Sequence, residues 1–203
     1  MVRAGDVIEN PRSGERMEFI KTAEDTGGAL LQLVLTVKPG GAVAAPHIHP
    51  RQEERFQVRS GTLRLRTNGE ERLLRPGQEG VVPAGSPHVW WNEGADELEA
   101  LVEFRPALRF EDVISTIFAL ARDGKTDNKG VPNLLQIAVM LRKYPSEIYL
   151  ARPPIAVQKL LFAAIAWVGP LVGYHADYPY RPAAAKAGAK AAAGTAVTES
   201  LGG

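Results

Sequence analysis

The chain has 203 residues, 45% hydrophobic and 23% charged, enough to bury the core of one ordinary domain with attachments. Lys and Arg number 24 against 23 Asp and Glu, so no strong field favours nucleic acid or an anionic membrane, and no basic patch with interleaved aromatics marks a nucleic-acid face. Cysteine is absent, which excludes disulfides, thiolate metal sites and a cysteine nucleophile; with no N-terminal apolar core of signal-peptide length, a cytoplasmic location is expected.

Residues 1–14 read as an irregular lead-in that ends in a turn at Pro11-Arg12-Ser13-Gly14. Arg16 to Lys21 reads as a short strand, and Thr26-Gly27-Gly28 as a turn. Leu30 to Lys38 has few polar residues and reads as a strand covered on both faces. Short strands and turn signals then alternate. Phe56 to Val58 runs towards Gly61, and Leu63 and Leu65 alternate with Arg64 and Arg66. Asn68-Gly69 is a type I′ hairpin signal before Glu71 to Leu74. Gly80 to Val82, His88 to Asn92 and Glu97 to Phe104 complete the series. Many short strands without intervening helices indicate an all-β sandwich or barrel.

The pattern changes after Pro106. Phe110, Val113, Ile114, Ile117, Phe118 and Ala121 keep helical spacing, with Glu111 and Asp112 in the first turn and Gly124 past the end. Asn133 is an expected N-cap of a second helix, with Gln136 at the capping-box position. Pro153-Pro154 opens a third helix, Ile155 to Val168, closed by Gly169-Pro170. The expected division is a β-barrel domain at 1–106, a helical extension at 107–182 and an Ala/Gly-rich disordered tail at 183–203. The apolar run Leu160 to Val172 is too short to span a bilayer comfortably, so no integral membrane segment is expected. A packed helix is favoured over peripheral membrane contact.

Three of the four histidines lie between Gly41 and Asn92. His47 and His49 are two apart, so on a strand both imidazoles share one face. The turn residues Pro50-Arg51-Gln52 let Glu54 follow on a neighbouring strand, where it shares a face with Phe56 and Val58. His88 starts another strand after Pro83-Ala84-Gly85-Ser86-Pro87, with Trp90 and Asn92 on its face. Three imidazole nitrogens and one carboxylate suit one divalent transition metal per chain, Fe, Mn, Ni, Cu or Zn. On a six-coordinate ion they leave two open positions. The alternative for these histidines is a structural role in a metal-free barrel.

These residues carry a resemblance. Gly41-x5-His47-x-His49-x4-Glu54-x6-Gly61 resembles the first motif of the cupin superfamily, and Gly77-x5-Pro83-x-Gly85-x2-His88-x3-Asn92 the second, fifteen residues later. The resemblance, to small bacterial cupins, implies a mainly β fold. That fold is a double-stranded β-helix, or jelly roll, with about three helices appended at the C-terminus. It also implies that His47, His49, Glu54 and His88 are the metal ligands at the wider mouth. A quercetinase-like dioxygenase follows as one expectation, with a small organic substrate and with Glu54 able to leave the metal and act as a base. A metal-assisted isomerase or lyase, and a non-catalytic binding cupin with a structural metal, are the alternatives. Phe56, Val58, Trp90 and Asn92 are candidate pocket residues, although barrel core is the more common fate of the first three. A homodimer is expected. Arg51, Arg55 and His175 read as solvated surface residues.

Overall fold

In the computed structural model, residues 2–180 are described; the tail expected at 183–203 lies outside them. Two antiparallel sheets face each other. One holds six strands in the order β1-β2-β3-β10-β5-β8: β1 Val7–Asn10, β2 Glu15–Lys21, β3 Leu31–Val37, β10 Leu98–Arg105, β5 Glu53–Ser60 and β8 Glu79–Val82. The other holds β11 Tyr149–Leu150, β4 His47–Ile48, β9 His88–Asn92, β6 Leu63–Thr67 and β7 Glu70–Leu74, in that order. This is the jelly-roll barrel. The period-2 patterns put one residue in two inside, so Leu33, Phe56, Leu65, Trp90 and Val102 meet in one core.

Three sequence expectations change. Residues 7–10 are not irregular but form β1, paired with β2 through Asn10 and Glu15. The strand β3 is not covered on both faces; Leu31, Leu33, Leu35 and Val37 are buried, while Gln32, Val34 and Thr36 on the other face are half-exposed. Third, Tyr149–Leu150, between the second and third helices, pairs antiparallel with β4, Leu150 opposite His47. A two-residue strand has no periodicity to read, so only the fold reveals it.

The hairpin at Asn68-Gly69 has the two positive φ values, 53° and 89°, that a type I′ turn requires. Gly61 is fixed more tightly: at φ 74° a Cβ there would lie 2.7 Å from Glu97 O.

Helix α1 spans Phe110–Arg122 and α2 Leu134–Lys143. Their buried side chains Val113, Phe118 and Met140 join Ile8, Leu33 and Phe104 in the same cluster, so the barrel core continues into the helices. Each such side chain contributes about 1.5–3 kcal/mol by leaving water. Glu111 ties the start of α1 to the β2–β3 turn by accepting from Ala23 N at 2.9 Å. Asn133 caps α2 by accepting from Gln136 N at 3.0 Å. The expected reciprocal bond is absent, because the Gln136 amide donates instead to His175 O at 2.7 Å. Helix α3, Ile155–Val168, packs Phe162 and Ala166 against Ala138, Leu141 and Tyr149, and leaves Leu160, Leu161 and Trp167 exposed. No single helix among the described residues is long and apolar enough to cross a membrane.

Candidate metal centre

His47 and His88 are direct antiparallel partners on β4 and β9 of one sheet. His49 lies just past the end of β4, and Glu54 comes from β5 of the opposite sheet. The two sheets thus bring the four side chains together at one mouth of the barrel. All four are buried, and one ligand atom from each lies within 4.8 Å of every other. The turn before β9 is fastened to the same place by Gly85 N donating to His49 O at 2.8 Å.

The ring orientations are set from behind. Each Nδ1 faces a backbone carbonyl: His47 to Ala45 O at 2.9 Å, His49 to Glu147 O at 2.6 Å and His88 to Ser86 O at 3.0 Å. A carbonyl oxygen only accepts, so each Nδ1 carries the proton and each neutral ring leaves its Nε2 lone pair free. Carbonyl-anchored histidines of this kind are the usual second layer of metal ligands. His88 Nε2 lies 2.8 Å and His49 Nε2 3.7 Å from Glu54 Oε2, yet none of these three buried atoms has a well-formed hydrogen bond. Buried polar atoms without partners are costly, and a cation at their common centre would satisfy all of them. The donor set therefore fits a divalent transition metal.

For two of the three rings the electrostatics agree. Burial holds His47 well below its ordinary value, with the charges of His88 and His49 adding to the effect. Burial brings His49 down to about 4, against the attraction of Glu54. For His88 burial also pulls downward, but the contact with Glu54 outweighs it and the group is raised. The first two rings are thus neutral near pH 7, as ligation requires.

Beside this cluster lies a cavity of about 120 Å³ under α1 and α2. His47, Glu54 and Trp90 line it, together with apolar side chains that include Phe110, Ile114 and Met140. Of the four expected pocket residues only Trp90 borders it. Phe56 and Val58 are buried in the barrel core, away from its wall. Asn92 spends its amide on the backbone: Nδ2 donates to Val37 O and Asp96 O, and Oδ1 accepts from Gly94 N. Arg51, Arg55 and His175 are exposed, as expected.

The sequence reading missed four residues at this cavity. Phe110 closes it from α1, its ring 4.7 Å from His49 and perpendicular to it. Tyr149 lines it from β11. Asn10 and Glu15 line it from β1 and β2, both buried. Burial pushes the Glu15 carboxyl up to about 8; the neighbouring Ser13 side chain pulls the other way and the charge on Glu54 adds to the rise. Glu15 was detectable: it precedes Met17 and Phe19 on the buried face of β2, where a carboxyl is out of place.

The cupin domain family model matches residues 33–104. A protein of Hypocrea virens named probable oxidoreductase virH is 30% identical over 197 residues, spanning 88% of this chain and 87% of that protein. A mannose-1-phosphate guanylyltransferase of Escherichia coli is 36% identical over 67 residues, 33% of this chain. The match spans only 14% of the guanylyltransferase's length. Among solved structures, one described as a predicted oxalate decarboxylase of Thermotoga maritima superposes with a TM-score of 0.46 at 23% identity, covering 52% of this chain and 98% of that one.

Proposed function

The chain belongs to the cupin family, and from that premise we propose that it is a metal-dependent oxidoreductase of the quercetinase-like dioxygenase type, acting on a small neutral substrate. The observation that carries this reading is the convergence of three carbonyl-anchored imidazoles and Glu54 on one buried centre whose polar atoms lack partners. The near full-length relative named a probable oxidoreductase supports the reaction class. A bound transition ion would supply Lewis-acid chemistry and, if redox-active, electron exchange with dioxygen. His47, His49 and His88 hold the site, and Glu54 both completes it and can accept a proton from a substrate hydroxyl or enol.

The cavity narrows the substrate. At about 120 Å³ it is close to the cavity of about 150 Å³ that holds one benzene ring. It suits a single ring or a short enol rather than a three-ring flavonol. No Lys or Arg among the described residues lines it, while Glu15 and Glu54 do, so away from the bound ion a small anion would find no compensating charge in its wall.

The test is oxygen consumption by protein loaded separately with Fe(II), Mn(II), Ni(II), Cu(II) and Zn(II), offered catechol or acetylacetone. Metal-dependent uptake that disappears in His88→Ala is expected. Equal turnover under nitrogen would replace the reading with an isomerase or lyase. Retention of metal without turnover of any substrate would leave a binding cupin with a structural ion.

A further inference from the structure

Within a cavity whose wall is otherwise apolar, two polar side chains stand apart from the metal cluster. They are Asn10, 1% exposed, and Glu15, 5% exposed, which face each other as a pair across β1 and β2. The Asn10 amide cannot turn freely. Its Oδ1 accepts from Arg12 N at 3.0 Å and from Ser13 N at 3.3 Å, closing the turn after β1. That leaves Nδ2 on the other side, and this buried donor has no partner among the described residues. Gly130, which also lines the cavity, sits close against it: a Cβ there would lie 3.0 Å from Nδ2, so a larger residue would crowd the donor. An unpaired buried N–H₂ is costly unless something accepts from it.

We propose that Asn10 and Glu15 form a second polar subsite of the cavity, which takes a neutral hydroxyl or carbonyl oxygen of a ring-sized, otherwise apolar substrate held against the metal cluster. The proposal rests on the functional reading above for the identity of the cavity as the substrate site. It goes beyond that reading in assigning two residues outside both cupin motifs to substrate selection. The chemistry is complementary. Asn10 Nδ2 donates to an oxygen of the ligand. The Glu15 carboxyl, kept protonated by burial and by the nearby charge of Glu54, offers a donor O–H and an acceptor carbonyl in the same place. A hydroxyl satisfies both residues, giving its proton to Glu15 and receiving one from Asn10. A carbonyl oxygen accepts from both. A carboxylate seated at this subsite would place a charge beside Glu15 and Glu54 with no Lys or Arg among the described residues of the wall to offset it. The group predicted at this subsite is therefore the oxygen of a phenol, cyclic ketone or enol, and not a carboxylate.

The test compares phenol, benzene and benzoate by equilibrium titration, in the metal-free and in the Zn(II)-loaded full-length protein. Phenol is expected to bind at least as tightly as benzene in both forms, with benzoate weakest in the metal-free form. In Glu15→Leu, phenol affinity relative to benzene should fall about tenfold or more, because the hydroxyl is then buried unpaired. Glu15→Gln, which keeps a donor and an acceptor, should restore the preference. Should Glu15→Leu not fold, Glu15→Met carries the test. It keeps the length and volume of the side chain while removing its donor and acceptor, and it should lower phenol affinity while sparing benzene. A phenol preference unchanged in both variants, or one that exists only with metal bound, overturns the subsite. Because the readout is binding, absence of oxygen uptake with the phenol preference intact would count against the dioxygenase reading alone.

Discussion

The Phe110 ring is where the helical extension meets the metal cluster. It is 4% exposed, its centroid is 4.3 Å from that of Phe104, and it stands perpendicular to His49 at 4.7 Å. Phe110→Ala removes a buried ring from a close-packed junction, which costs about 3–5 kcal/mol. For a chain of this size that is a fall in Tm of roughly 6–20 °C. The truncation also frees one side of the His49 ring, leaving its orientation to the bond with Glu147 O and the edge contact with Phe104. Metal affinity should then drop by about tenfold, the low end for loss of a group that orients a ligand. Phe110→Leu should recover more than half of the stability but not the edge contact, so affinity stays reduced. Urea unfolding of the metal-free protein measures the first effect and competitive titration against a fluorescent chelator the second. A truncation costing less than about 1 kcal/mol, with affinity unchanged, would refute the claim that α1 is built into the barrel mouth and supports a ligand.

Further predictions concern charge, hydrogen bonding and metal. Glu15 holds its proton up to about pH 8 in the folded chain, whereas an ordinary glutamate gives it up near pH 4.3. The folded state therefore binds more protons than the unfolded one between these values, and stability falls as pH rises through that window, by about 5 kcal/mol at most. Glu15→Gln should flatten this decline in unfolding midpoints measured at about pH 5 and about pH 9; an unchanged slope would place the decline on other groups. Asn92→Ala breaks bonds to Val37 O, Asp96 O and Gly94 N and should cost about 2–3 kcal/mol with metal content unaltered; loss of metal instead would give Asn92 a part in the site. Saturating metal at about 100 times Kd should stabilise the wild type by about 2.7 kcal/mol and His88→Ala by almost nothing; equal stabilisation of both, read by calorimetry, would put the ion elsewhere.

The metal cluster was legible because its determinants are local. His47 and His49 sit two apart at the end of β4, Glu54 follows one turn later, and His88 opens the strand that pairs with His47. The alternation that placed Glu54, Phe56 and Val58 on one face was also correct, as all three are buried. It erred as a guide to the pocket, because period-2 spacing fixes which face a side chain occupies and not how deep it sits along the barrel. Only Glu54 reaches the mouth; Phe56 and Val58 lie further in, on the core. What the sequence hid is what returns from far away. The carbonyl that orients His49 belongs to Glu147, 98 residues later. Tyr149–Leu150 extends the sheet beside β4. Asn10 sits in a stretch whose turn signal masked a strand. The N-cap of α2, by contrast, is a local device, and Asn133 was readable at once.

The central claim is that His47, His49, Glu54 and His88 hold one transition ion, and elemental analysis tests it most directly. The purified wild-type protein should contain about one transition metal per chain, and a Glu54→Ala, His88→Ala double variant, shown by circular dichroism to be folded, should contain none. Equal metal in both proteins would contradict the account, as would a wild type that holds none and gains no thermal stability from any added divalent ion.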